Sequence, residues 1–105
     1  MNYLETLCDI ATEAHTMIQK EYKDINPIVG VNQRMRKAGV PADIMTIECL
    51  RTDKRIVLVL HDQQHDIVNY QFCFRNKDPE GKYKQIKFES LTTQIMFDWI
   101  KDYFQ

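Results

Sequence analysis

Apolar residues recur along the chain first with a helical period, then with a strand period, and finally with a helical period again. In residues 2–25 they fall at steps of three and four, which places them on one stripe of an amphipathic helix. The stripe consists of Leu4, Leu7, Cys8, Ala11, Ala14, His15, Ile18, Tyr22 and Ile25. We therefore expect a long N-terminal helix with one face in the core.

Residues 26–39 predict a second, shorter helix. Asn26 suits the N-cap, and Pro27 suits the first helical position, where a missing N–H is not needed. Gly39 suits the left-handed residue just beyond the helix end. The apolar stripe consists of Ile28, Val31, Met35 and Ala38. Glycine and β-branched residues at 29–31 are poor helix formers, so local propensity opposes this helix.

Four segments between residues 43 and 89 are typical of strands, and short polar joints separate them. The segments are 43–50, 55–61, 66–75 and 82–89, with joints at 51–54, 62–65 and 76–81. Joints of this length favour an antiparallel meander. The third segment alternates clearly, whereas residues 56–60 are apolar on both faces. We expect other groups to cover part of each face of that strand.

Ser90 suits the N-cap of a final helix over 91–104, which is apolar on more than one side. The fold class predicted is α+β, with element order α-α-β-β-β-β-α. In this arrangement, the long N-terminal helix and the C-terminal helix pack on a four-stranded antiparallel meander. We expect residues 1–105 to form one domain, because a chain of 105 residues without repeats or linkers fits that size.

Composition narrows the class of protein. The formal net charge of -1 argues against a general polyanion binder. An odd count of three widely spaced cysteines does not predict a disulfide framework, and a reducing compartment fits it best. The first ten residues lack the basic region of a secretory signal, and no stretch has the ~20 apolar residues of a membrane span. We expect a cytoplasmic protein.

The sequence "HDQQHD", residues 61–66, is the one cluster that resembles a metal site. Imidazole and carboxylate groups are zinc ligands, so His61, Asp62, His65 and Asp66 are candidates. Histidines four apart share a side only on a helix, whereas here they flank a predicted hairpin joint. A polar turn between two apolar strands is the favoured interpretation. We expect no cofactor and no catalytic residues, since no nucleophile accompanies the cluster.

Basic residues lie in the last turns of the predicted second helix and just after the first predicted strand. They are Arg34, Arg36, Lys37, Arg51, Lys54 and Arg55. If these two regions pack together, they form one basic face that could bind an anion or nucleic acid. The alternative is a helix end whose cations oppose the helix dipole, plus a solvated turn.

Surplus apolar surface on the second strand and the last helix favours a protein interface. The interface candidates are Ile56, Leu58, Leu60, Trp99, Tyr103 and Phe104. The favoured function is a non-enzymatic interaction or regulatory module, a homodimer or a subunit of a complex. The partner is then a second copy or another protein, and a membrane partner is not expected. The two alternatives are a nucleic-acid-associated protein and a small metal-dependent protein.

Overall fold

A computed structural model describes residues 2–77 and 81–105. Its elements are α1 (Tyr3–Glu21), β1 (Ile28–Asn32), α2 (Arg34–Lys37), β2 (Ala42–Cys49), β3 (Lys54–His61), β4 (Ile67–Phe74), β5 (Lys84–Lys87) and α3 (Thr93–Phe104). Short 3-10 turns occupy Asp62–Gln64 and Phe88–Ser90. Residues 78–80 of the predicted joint at 76–81 lie outside the described residues.

The α+β class and the antiparallel sheet are confirmed, but the predicted strand count and helix order are wrong. In the described chain the sheet has five strands in the order β1-β2-β3-β4-β5, each antiparallel to its neighbour. The segment predicted as a second helix contains the strand β1 followed by the short α2, and only α2 within it is helical. Val29 and Val31 flank Gly30, so strand propensity and pairing with β2 prevail over the capping signals at either end.

The pairing register defines the two faces of the sheet. Met45 lies opposite Leu58, and Ile47 lies opposite Ile56. Leu58 in turn lies opposite Tyr70 on β4. Because side chains alternate along a strand, these residues all point to one face. The predicted alternation of the third strand-like segment is therefore present in β4.

Both long helices pack on that face. α1 contributes Leu7, Ala11, Ala14 and Ile18 to the core, and α3 contributes Met96, Phe97, Ile100 and Phe104. The Asn2 side chain caps α1 by accepting a hydrogen bond from the Glu5 N–H (3.0 Å), and the Thr92 hydroxyl caps α3 by accepting one from the Ile95 N–H (3.2 Å). These two helices and the central strands enclose one connected hydrophobic core.

The opposite face carries the other two apolar residues of β3, Val57 and Val59. Val57 is 5% exposed and lies outside the core cluster, between Thr46 and Gln71 on the neighbouring strands. Val59 is half-buried on the same face. Neighbouring side chains within the sheet, rather than α1 or α3, therefore shield this side of β3.

Candidate interaction surface

The edge strand β1 is the most exposed apolar part of the sheet. All five of its residues are exposed. The accessible fractions of Ile28, Val29 and Val31 are 46%, 37% and 43%. Val29 and Val31 lie opposite the core residues Ile47 and Met45, so they point to the helix-bearing face. Since they remain exposed there, α1 and α3 do not extend over this margin.

The outer backbone edge of β1 is open in the described part of the chain. β1 pairs with β2 on one side, and no other described strand pairs with it. An edge strand presents unpaired N–H and C=O groups, which form a template for another strand. Natural proteins usually protect such edges with charges, proline, a bulge or a covering element. The residues Ile28–Asn32 contain neither a charge nor a proline.

The opposite edge of the sheet has the protection that β1 lacks. β5 has four residues, and lysines stand at both of its ends, Lys84 and Lys87. Lysine on an edge strand is one of the usual means of discouraging edge-to-edge pairing. The two edges of one sheet thus differ in chemistry, and only β1 is suited to accept a further apolar strand.

Local sequence fixes where β1 begins and ends. Pro27 precedes the strand, and a proline is tolerated at the start of a strand, where no ladder N–H is needed. At the other end, the Asn32 side chain accepts a hydrogen bond from the Arg34 N–H (2.8 Å), which starts α2. Between them Gly30 has an ordinary strand conformation, and a Cβ placed there would lie 3.4 Å from the Thr46 hydroxyl.

The structure places "HDQQHD" at a turn. His61 ends β3, and its Nδ1 accepts a hydrogen bond from the Gln63 N–H (3.3 Å). The ring of His65 stacks on Tyr3, with 4.7 Å between centroids. Asp62 accepts two hydrogen bonds from Arg36, at 2.9 and 2.8 Å. Within residues 2–77 and 81–105, no group of three or more His, Cys, Asp or Glu side chains is placed to hold a metal ion.

The candidate basic residues divide between the two ends of the β2–β3 hairpin. Ala42 pairs with His61 at one end and Cys49 with Lys54 at the other, about 23 Å away at the usual rise of a strand. α2 contacts the sheet through β2, and its Arg36 reaches Asp43 and Asp62 at the first end. Arg51, Lys54 and Arg55 belong to the second end. The six residues therefore do not form one continuous basic face.

Specific acceptors hold several of these basic side chains. Arg51 donates to the Phe104 carbonyl (3.0 Å) and Lys54 to the Tyr103 carbonyl (3.1 Å), so both cations meet the negative end of α3. Arg55 donates to Glu48 (3.3 Å). Hydrogen bonds from Arg36 hold the pKa of Asp62 below its usual range. Four of the candidate cations therefore bind acceptors within the chain, whereas Arg34 and Lys37 are exposed on α2.

The interface candidates lie mainly inside the fold. Ile56, Leu58 and Phe104 are fully buried, and Leu60 is 6% exposed. Trp99 and Tyr103 are half-buried and stack on Tyr70 and Phe72, with ring centroids 4.4 and 5.0 Å apart. The chain's own helices and sheet therefore occupy most of this surface.

An open groove of about 600 Å³ lies beside the first turn of α1. Its apolar wall includes Tyr3, Ile10 and Leu91, and Asp66, Lys87 and Glu89 also line it. Charges of both signs at the groove give no preference for an anion or a cation.

Sequence reasoning missed β1 as a surface because it assigned the segment to a helix. The signal was present as valines at alternate positions, Val29 and Val31, in the segment that follows Pro27.

Comparison with protein-family models, curated proteins and solved structures finds no match for this chain. In the described residues, no helix has both the length and the apolar character needed to cross a bilayer.

Proposed function

We propose that this chain is a non-enzymatic protein-interaction module that binds a partner strand at the outer edge of β1. The observation that carries the proposal is an uncharged edge strand whose Ile28, Val29 and Val31 are all exposed. Addition of a strand to an open sheet edge is a recurring mode of protein recognition. Backbone hydrogen bonds supply part of the affinity in that mode, and alternate side chains supply specificity.

The chemistry of the cysteines gives no support to a thiol-based catalytic role. The three cysteines are free, and burial raises the pKa of the Cys8 and Cys73 thiols. A thiol with a raised pKa is a poor nucleophile at neutral pH. Free cysteines also fit a reducing compartment, and on that ground we propose a cytoplasmic location.

Two labelled peptides test whether the β1 edge accepts a strand. One has the sequence of residues 26–33, and the other is a short peptide of alternating valine and threonine. We expect both to bind the native chain in fluorescence polarisation. The double variant Val29→Lys/Val31→Lys should bind at least about tenfold more weakly, since a charge on an edge strand opposes pairing.

The matched control is Tyr83→Lys. Tyr83 is 37% exposed, like Val29, but it precedes β5 at the other edge of the sheet. Binding of the peptides should be the same in this variant as in the native chain. If neither peptide binds and the native chain also stays monomeric at high concentration, the proposed function is wrong.

A further inference from the structure

We propose that the partner strand is β1 of a second copy, paired antiparallel about a two-fold axis that passes beside Gly30. This inference rests on the proposed function and specifies its partner. It follows from the residue pattern of β1, from the absence of charged residues in β1, and from the lack of a side chain at its central residue, Gly30.

The two-fold axis restricts the register. An antiparallel pair of identical edge strands is related by an axis perpendicular to the sheet, so each face of one copy continues into the same face of the other. Since side chains alternate, each residue must lie opposite one of the same parity. Gly30 opposite the partner's Gly30 is the register of this kind that overlaps all five residues of Ile28–Asn32.

In that register the exposed apolar side chains contact one another. Val29 lies opposite the partner's Val31 on the helix-bearing face, and Val31 lies opposite the partner's Val29. Cross-strand pairs of β-branched residues stabilise a sheet. The four valines then form one apolar cluster at a margin that α1 and α3 leave uncovered in each copy.

Charge distinguishes β1 from the other possible self-pairing edge. β1 contains no charged residue, so pairing it with itself brings no like charges into opposition. Self-pairing of β5 would bring Lys84 and Lys87 of both copies close together along a very short ladder. Four lysines so close repel one another even where they are not directly opposite, so a second copy fits the β1 edge better than the β5 edge.

Gly30 also allows a direct test of the register. A Cβ at this position lies at an ordinary distance from the Thr46 hydroxyl, and Gly30 does not have a positive φ. Residues directly opposite each other in an antiparallel pair have Cα atoms about 4.5–5.5 Å apart. That separation falls within the range in which a disulfide forms. Gly30→Cys should therefore link to the partner's residue 30.

The control is Ile28→Cys on the same strand and the same face. In the proposed register residue 28 lies opposite the partner's residue 32, so two copies of residue 28 are about 13 Å apart. Under mild oxidation we expect at least about tenfold more linked dimer in Gly30→Cys than in Ile28→Cys, reversed by reductant. The native chain shows the background from Cys8 and Cys73, which are half-buried.

The mass of the native chain by light scattering completes the test. A dimer with selective linkage at position 30 supports the proposal. A dimer in which both cysteine variants link equally, or neither links, overturns the register. A monomer that binds the valine–threonine peptide overturns the second copy as partner while leaving the β1 edge as a binding site. A monomer that binds neither peptide overturns both proposals.

Discussion

At the residue scale, Glu48 connects three neighbouring segments of the chain. Its Oε2 accepts a hydrogen bond from Arg75 (2.7 Å), just beyond β4, and another from Arg55 on β3 (3.3 Å). Arg75 also donates to Asp53 (3.0 Å). The hydrogen bond from Arg75 is the largest cause that holds the pKa of Glu48 below its ordinary value, and burial opposes it. Glu48 therefore stays ionised in the folded state at neutral pH.

This pKa predicts how stability depends on pH. The unfolded chain takes up a proton at Glu48 at a higher pH than the folded chain does, so acid favours unfolding. The stabilisation is present above about pH 4.3, the ordinary glutamate pKa, and is lost as the pH falls through the lower folded value. In urea unfolding, Glu48→Gln should be less stable than the native chain at pH 7, and the difference should shrink at pH 3.

Glu21→Gln is the control for that experiment, because Glu21 is exposed at the end of α1. It should be no less stable than the native chain at either pH, since a carboxylate at the C-terminal end of a helix opposes the helix dipole. A stability difference between Glu48→Gln and the native chain that stays constant from pH 7 to pH 3 would contradict the role given to Glu48.

At the element scale, the two faces of β3 are buried to different degrees. Leu58 is fully buried against the helices, whereas Val59 is half-buried on the opposite face. Leu58→Ala should lower the free energy of unfolding by about 2–5 kcal/mol, the usual cost of such a cavity in a core. Val59→Ala should cost clearly less. Chemical denaturation of both variants measures the difference, and equal losses would mean that both faces of β3 are equally enclosed.

The elements also show what could be predicted from the sequence. Strict alternation revealed which residues of β4 share a face, and helical periodicity revealed the buried stripe of α1. The prediction of a helix over residues 26–39 was wrong because the cap-like Asn26, Pro27 and Gly39 are local signals, whereas β1 forms by pairing with β2. That pairing is a long-range interaction, and the alternating Val29 and Val31 are the one local sign of it in the segment.

At the scale of the whole molecule, the register decides which candidate residues come together. β3 is apolar on both faces, and its sequence alone does not say which face the helices cover. Ile56, Leu58 and Leu60 proved to face α1 and α3, so they lie in the core. The candidate basic residues are separated because Arg36 binds Asp43 at one end of the β2–β3 hairpin, whereas Arg55 lies near the other end. Among the described residues, the β1 edge stays exposed.

The mass of the chain in solution, measured by light scattering over a dilution series at low and high salt, tests this account most directly. We expect the native chain and Tyr83→Lys to approach twice 12.5 kDa as concentration rises, at both salt concentrations, because the contact is apolar. Val29→Lys/Val31→Lys should remain at the monomer mass. A native chain that stays monomeric at the highest concentration, or a double variant that dimerises equally well, would contradict self-association through β1.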